Sequence, residues 1–388
     1  MEYLTPDITS VLARDVYDLR LDDDLSALGA SVPQWLGEFN PPQRMTGTSG
    51  AFLRSRSGFG FFSSGRGKRA REALVVMRGT ATLADGLTDL SCGVQLGPRG
   101  FLVHSGFNET FDSLREQLNA CFGAPENRGV SHVHCVGHSL GGALATLVAD
   151  YARARGLRAS LYTFGSPRVG YAAFSSQLTD ALGPDDIFRV YHANDPVSMV
   201  PLFPFLHAPD RGQVVMLPAK YHAYDFSAHS MNGYVSDVSG RGWREMRCGA
   251  TNWLERLDSN VRLWLDSGDR SVLSHYGGNI LWFLGKALLQ LLRVALSVES
   301  TGLQVLVSAG FTLVDSIAWL LGRAALLKKE VGTMLERILK ALMTALGRSI
   351  EGIQDVTVAV LRFSIGLLLG SISNQVTRAI AIAHGASR

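Results

Sequence analysis

Gly137, His138, Ser139, Leu140 and Gly141 spell G-x-S-x-G, directly after the apolar run 133–136 and directly before the helical run 142–155. A strand, a tight turn and a helix in that order hold a serine hydroxyl exposed above a sheet, ready for nucleophilic attack. The two glycines let the chain pass through a strained turn without a Cβ clash. Ser139 is therefore the candidate nucleophile. Alone the motif carries little, since a serine capping a helix beside a glycine-rich turn is common.

A serine hydroxyl needs a base for its proton, an acid to orient that base, and donors for the oxyanion that forms. When such groups follow a G-x-S-x-G elbow, their chain order is serine, then acid, then histidine. Asp195 stands in Asn194-Asp195-Pro196-Val197, just after the apolar run 187–191 and at a proline-marked turn. That is the position for the acid, although an Asx-turn is the commoner fate of Asn-Asp-Pro taken alone. Three downstream histidines are candidates for the base: His207 in a proline-rich loop, His222 after Lys220-Tyr221, and His229 in Ala228-His229-Ser230-Met231. Position alone leaves them equal, and a surface histidine is the bland account of each. For the oxyanion, Leu140 follows the nucleophile and offers its N–H, while Thr80 closes the turn Arg78-Gly79-Thr80 at a strand exit and offers an N–H and a hydroxyl.

The elements that must carry these residues are legible as an alternation. Up to about residue 257, apolar runs of four to six residues alternate with helical patterns and Gly/Pro turns, the rhythm of an α/β sheet. The spacing predicts strands at 74–77, 133–136, 160–164, 187–191 and 214–217, and helices at 8–19, 107–120 and 142–154. Phe59-Gly60-Phe61-Phe62 reads as an edge strand within a flexible Gly/Ser/Arg-rich segment, 47–71. The polar stretch 258–270 reads as a boundary between a catalytic domain, 1–258, and an apolar helical region, 271–388. In that region 277–298, 303–327 and 356–372 are strongly apolar with isolated charges. Lys286 and Arg293, seven apart, share one helical face. Val331, Leu335, Ile338, Leu342 and Ala345 recur at four-three spacing, a bundle or coiled-coil stripe.

Bulk properties narrow the function classes. The chain has 388 residues, 46% hydrophobic and 18% charged, with a mean hydropathy of +0.12. That is apolar for an average soluble enzyme. A formal charge of +3 on scattered Lys and Arg excludes nucleic acid as the expected partner. Cys92, Cys121, Cys135 and Cys248 lie far apart with no C-x-x-C pair, which suggests neither a zinc site nor a disulfide framework. The N-terminus has no basic n-region or apolar h-region, so the expectation is synthesis in the cytoplasm without a conventional signal peptide. Charges interrupt every apolar run near the C-terminus, which weakens the case for standard transmembrane segments but leaves room for membrane contact.

Four segments in order, 78–80, 137–145, 162–170 (Tyr-Thr-Phe-Gly-Ser-Pro-Arg-Val-Gly) and 194–197, together with Val103-His104-Ser105-Gly106-Phe107, closely resemble the class 3 (fungal-type) lipases. The resemblance covers roughly residues 12–234. It implies an α/β-hydrolase fold with a mostly parallel central sheet, and hydrolysis of acylglycerol or phospholipid esters. It also implies Ser139 as nucleophile, Asp195 as acid and His229 as base, because the family histidine is commonly followed within a few residues by a tyrosine, here Tyr234. His222, near Tyr224, is the alternative base. Thr80 and Leu140 are the implied oxyanion hole, and no metal or cofactor is implied. The family's lid helix would fall near 82–90, where Gly86 weakens a helix by roughly 1 kcal/mol relative to alanine.

The region 271–388 has no counterpart in the compact members of that family. It reads either as a soluble bundle or as a lipid-contacting module spanning about 277–376. A leaderless class 3 lipase with such a tail also resembles antibacterial phospholipases delivered by contact-dependent secretion, which implies an immunity or chaperone partner and export without a leader. A non-enzymatic membrane-binding or pore-forming protein on a hydrolase scaffold is the reading of another class.

Overall fold

The computed structural model describes residues 2–18, 37–49, 55–79, 93–201, 204–218, 226–274, 280–298, 313–347 and 357–385. Its centre is a seven-stranded sheet. An antiparallel pair, β1 (Gln43–Ser49) and β2 (Ser55–Ser64), leads into β3 (Glu72–Met77). A two-stranded ribbon, β4 (Val94–Leu96) and β5 (Leu102–His104), stands apart from it. Four more strands extend β3 in parallel: β6 (His132–His138), β7 (Arg158–Phe164), β8 (Ile187–His192) and β9 (Val215–Leu217). This order, with helices on both faces and β6 in the middle, is an α/β-hydrolase sheet.

The strands expected from sequence all form, each within a residue or two of the expected ends. Phe59-Gly60-Phe61-Phe62 differs in position: it lies in β2, and the edge is β1. The six residues of β3 and the seven of β6 are buried throughout, because a parallel strand with helices on both faces has no wet side. Alternate residues therefore feed two cores. Val133 and Cys135 join the core under α2 (Ser105–Gly123), α3 (Leu140–Ala154) and α4 (Ala172–Leu182), while Val136, Tyr162 and Val190 join the opposite core with α1 (Pro6–Asp15) and α5 (Met231–Val238). Helix α1 starts where Thr5 Oγ1 accepts the Ile8 N–H and Pro6 takes the first turn.

From the far edge of the sheet, α6 (Trp243–Ser267) runs through residue 258, so the polar stretch 258–267 forms its last turns, and the chain reverses at Gly268 in the left-handed region. The side chains Val261, Trp264 and Leu265 near its end are buried. After the short α7 (Arg270–Ser274) come α8 (Ile280–Val298), α9 (Leu313–Leu327), α10 (Lys329–Ala345) and α11 (Val358–Gly385), which pack on one another as a bundle. Trp264 meets Phe283 edge-on with centroids 5.4 Å apart. On α10 the stripe Val331, Leu335, Ile338 and Leu342 is buried, but Ala345 at its end is exposed. The bundle joins the hydrolase core without a break: Leu147, Val197 and Met199 belong to the same apolar cluster as Phe283, Leu321 and Ile372.

Candidate active site

Ser139 sits at the turn from β6 into α3 with φ 56° and ψ −132°, the one non-glycine residue with positive φ among the described residues. Such a conformation costs on the order of 1–3 kcal/mol and persists only where its surroundings impose it. Here they do. The Ser139 N–H donates to Phe164 O at 2.9 Å, and the Gly142 N–H returns to Ser139 O at 2.9 Å. A Cβ on Gly141 would stand 2.2 Å from Met77 O, and one on Gly137 would stand 2.2 Å from Gly141 O. The elbow is thus wedged between its own helix and the end of β3.

Three sequence candidates converge at the carboxyl ends of the parallel strands. His229, in the 3-10 turn Phe226–His229, has Nε2 2.7 Å from Ser139 Oγ and Nδ1 2.8 Å from Asp195 Oδ2. Asp195 follows β8, and its other oxygen accepts the Val197 N–H at 2.9 Å. With the carboxylate an acceptor, Nδ1–H donates to Asp195 and Nε2 accepts the serine proton. Ser139 is 1% exposed, and Asp195 and His229 are fully buried. Leu140 opens α3, where an N–H has no acceptor within its own helix. Thr80, His222 and the expected lid stretch 82–90 lie outside the described residues. His207 is spent elsewhere: its Nε2 donates to Ser198 O at 2.7 Å, and burial, reinforced by Arg189 and Arg168, holds its pKa well below the usual histidine range.

Other residues hold this chain of bonds, and sequence reasoning did not give them that task. Tyr234 OH donates to Asp195 Oδ2 at 2.6 Å and accepts the His192 N–H at 3.0 Å. Burial, then the Asp195 charge, pushes that hydroxyl well above its ordinary pKa, so it stays a donor. The His192 ring stacks on Tyr234 with centroids 4.1 Å apart and bonds Ala228 O at 2.6 Å through Nδ1. His138, inside the G-x-S-x-G motif, donates from Nε2 to His229 O at 2.8 Å, which leaves Nδ1 to accept from Tyr17 OH at 2.9 Å. Arg168 donates to Met199 O at 2.6 Å and Pro201 O at 3.0 Å, fixing the turn beyond Asp195. Gly165 has φ 54°, and a Cβ there would stand 2.5 Å from Asp195 Oδ2 and 3.0 Å from His229 Nδ1. The signals were present as motif letters: the histidine before Ser139, the tyrosine after His229, and the glycine and arginine of Thr-Phe-Gly-Ser-Pro-Arg.

Chemically, this is a buried serine in hydrogen-bond reach of an imidazole whose far nitrogen is held by a carboxylate. Among the described residues no group of three or more His, Cys, Asp or Glu is arranged to hold a metal ion.

Known proteins resemble parts of this chain. A family profile described as lipase (class 3) matches residues 74–205. A secreted mono- and diacylglycerol lipase of Fusarium solani is 33% identical over 155 residues, 39% of this chain and 46% of that protein. A chloroplastic/mitochondrial phospholipase A1 of Oryza sativa subsp. indica is 30% identical over 217 residues, 44% of this chain and 48% of that protein. The chain thus spans less than half the length of these relatives. Among solved structures, the Rhizomucor miehei lipase propeptide complex matches at 23% identity and TM-score 0.40, covering 55% of this chain and 67% of that one. A nonglycosylated Yarrowia lipolytica lipase matches at 19% identity and TM-score 0.41, covering 56% and 79%.

Proposed function

Residues 74–205 belong to the class 3 lipases, and on that premise we propose that the chain is a serine hydrolase that cleaves carboxylic esters of lipids through an acyl-enzyme. The observation that carries this reading is the His229 ring, 2.7 Å from Ser139 Oγ on one side and 2.8 Å from Asp195 on the other. His229 takes the Ser139 proton as Oγ attacks the ester carbonyl, and it returns that proton to the departing alcohol oxygen. Asp195 holds the imidazole in the Nδ1–H tautomer and balances the charge it gains. Leu140 N–H and Thr80 are assigned to the oxyanion. A water molecule, deprotonated by the same histidine, then releases the acid. No metal or cofactor enters these steps.

The test is a panel of triacylglycerol, phosphatidylethanolamine and phosphatidylglycerol, with a soluble short-chain nitrophenyl ester as reference, run on wild type and Ser139→Ala. Ser139→Ala should lower ester turnover by several orders of magnitude. Turnover near wild type would refute the nucleophile assignment, and the panel separates lipase from phospholipase.

Phospholipid as the substrate and a membrane surface as the working place form the finer reading, supported by the apolar bundle joined to the hydrolase core. A second reading, an antibacterial phospholipase neutralised by an immunity protein, rests on the same tail. Growth arrest on expression of wild type but not Ser139→Ala would favour it, and dye leakage from vesicles by Ser139→Ala would favour a pore-forming protein instead.

A further inference from the structure

The candidate nucleophile is buried, and the C-terminal helix packs beside the turns that carry its partners. Helix α11 packs directly against the turn Phe226–His229 that carries the base, and against the turn Val197–Met199 that follows Asp195. Met199 Cε and Ile372 Cδ1 meet at Gly285 of α8, 3.1 and 3.5 Å from the point where a Cβ would stand. The buried seam of α11 runs Leu361, Ile365, Leu368, Ile372, Val376 and Ile380 at helical spacing.

The other side of this helix mixes apolar side chains with the exposed Arg362, Asn374, Thr377 and Arg378. Val358, Phe363 and Ile382 are exposed, and over Val358–Ala383 the mean hydropathy is 1.3 with only 39% of the apolar window buried. In water such a helix hides its most apolar face and leaves the mixed one to solvent. Against lipid tails it gains no more from a protein seam than from the bilayer. The seam also carries Ser364 Oγ and Gln375 Oε1, buried and without a hydrogen-bond partner among the described residues, which weakens it.

The start of α11 forms a basic, apolar corner with the end of α9. Arg362 Nε lies 2.6 Å from Asp315 Oδ1, and Val358 Cγ2 lies 3.4 Å from a Cβ position on Gly322, so the two helices run antiparallel. Val358 therefore lies near Leu326, which is 85% exposed, and Leu327, also exposed. The next residues, Lys328 and Lys329, are exposed cations, with Glu330 after them and Arg323 one turn before. Leucines set beside lysines that can reach past them to headgroup phosphates match the chemistry of an anionic bilayer surface.

We propose that this corner docks on an anionic lipid bilayer and that docking draws α11 off the His229 turn, making the helix a cap that a membrane lifts. The proposal rests on the ester-hydrolase reading of the same site. It names the partner surface and the element that gates access.

A fluorophosphonate probe tests it on the full chain, since it reacts with an activated serine whatever the natural ester. Labelling of Ser139 should be slow in buffer and rise at least tenfold with phosphatidylglycerol/phosphatidylethanolamine vesicles, but little with pure phosphatidylcholine. Replacing Leu326→Ser, Leu327→Ser, Lys328→Glu and Lys329→Glu together should abolish co-sedimentation with the anionic vesicles and bring that acceleration down to about one. Ile372→Asp should label fast without vesicles. Ile372→Ala, the milder change, should move the same way by less, with the thermal midpoint showing that each is folded. Folded Ile372 variants that label as slowly as wild type, or wild type that co-sediments without faster labelling, would overturn the cap. Equal acceleration by phosphatidylcholine, or no co-sedimentation, would overturn the anionic docking surface. If no variant is ever labelled and none hydrolyses an ester, the hydrolase reading itself fails and the cap with it, whereas vesicle binding still reports on the corner.

Discussion

Replacing Gly165 by alanine perturbs the site through one methyl group. The backbone there has φ 54°, which costs an L-residue about 1–2 kcal/mol. The new Cβ would stand 2.5 Å from Asp195 Oδ2, where an ordinary carbon–oxygen contact is about 3.3 Å. The carboxylate must therefore retreat by roughly 0.8 Å, the gap between those two distances. The same oxygen accepts from His229 at 2.8 Å and from Tyr234 at 2.6 Å, so a shift of that size lengthens both bonds past the useful range. Loss of one charge-assisted bond adds about 1.5–3 kcal/mol to the destabilisation. A misplacement near 1 Å costs a catalytic constellation about 100-fold, or about 2.7 kcal/mol of barrier. The expected result is a fall of about 100-fold in kcat/KM on a soluble nitrophenyl ester, with a lower urea midpoint. Gly156→Ala is the control: its φ is 77° and nothing stands within 4 Å of the new Cβ. It should lose about 1 kcal/mol of stability and keep its activity. If Gly165→Ala stays within threefold of wild type, or if Gly156→Ala loses as much activity, the steric argument is wrong.

Three further outcomes follow from the same geometry. Tyr234→Phe removes the donor to Asp195 and strands the buried His192 N–H, so stability should drop by about 2–4 kcal/mol, and kcat about tenfold with KM little changed; a KM effect alone would contradict the positioning role. His138→Phe deletes the bond to the His229 carbonyl and one hydrogen bond of Tyr17, and fluorophosphonate labelling of Ser139 should slow even in Ile372→Ala, where the cap is loosened; unchanged labelling would remove His138 from the site's support. Burial, then His134 and Arg158, holds His132 at about 3 against an ordinary 6.5. Its folded form favours the neutral ring, so its contribution is full above 6.5 and is lost as pH falls toward 3. Going from pH 7 to 5 should cost about 2 kcal/mol from His132, with more from His134, which burial also pushes down. Glu72 loses its contribution in a lower window: burial opposes its charged form, but hydrogen bonds from His134 and Arg69 hold it at about 2 against 4.5. Urea midpoints across pH 7 to 5 for wild type and His132→Gln check this, and a slope that the variant does not flatten would refute it.

What the sequence made legible divides along physical lines. The strands β3, β6, β7 and β8 were readable because both their faces are buried and an apolar run of that length has few other uses. The strand β1, Gln-Arg-Met-Thr-Gly-Thr-Ser, was not, because Met45 is its one fully apolar buried side chain and the remainder is edge-strand polar sequence. Helix α6 hid its continuity through residue 258 for a related reason: a long amphipathic helix shows solvent a polar face, which mimics a linker when read without its period. Ser139 and Asp195 were readable because their backbone contexts, an elbow and a proline turn, are local. His229 shared its position with two rivals, and three-dimensional closure separates it from His207, whose ring is committed to Ser198 O.

The residues missed are those whose partners come from afar. Tyr234 and His192 are joined across 42 positions, and His138 and His229 across 91. No spacing rule reaches that far. Helix α11 is the extreme case. Its seam at 361, 365, 368, 372 and 376 announces from spacing alone that one face is buried, but a period of three and four is the same whether the partner is a sister helix, a bilayer or a catalytic turn. That its neighbour is the turn carrying His229 is a fact of tertiary packing. This is also why an apolar tail far downstream of Ser139 bears on what Ser139 can reach: the same side chains that would satisfy a membrane are, in water, spent on covering the base.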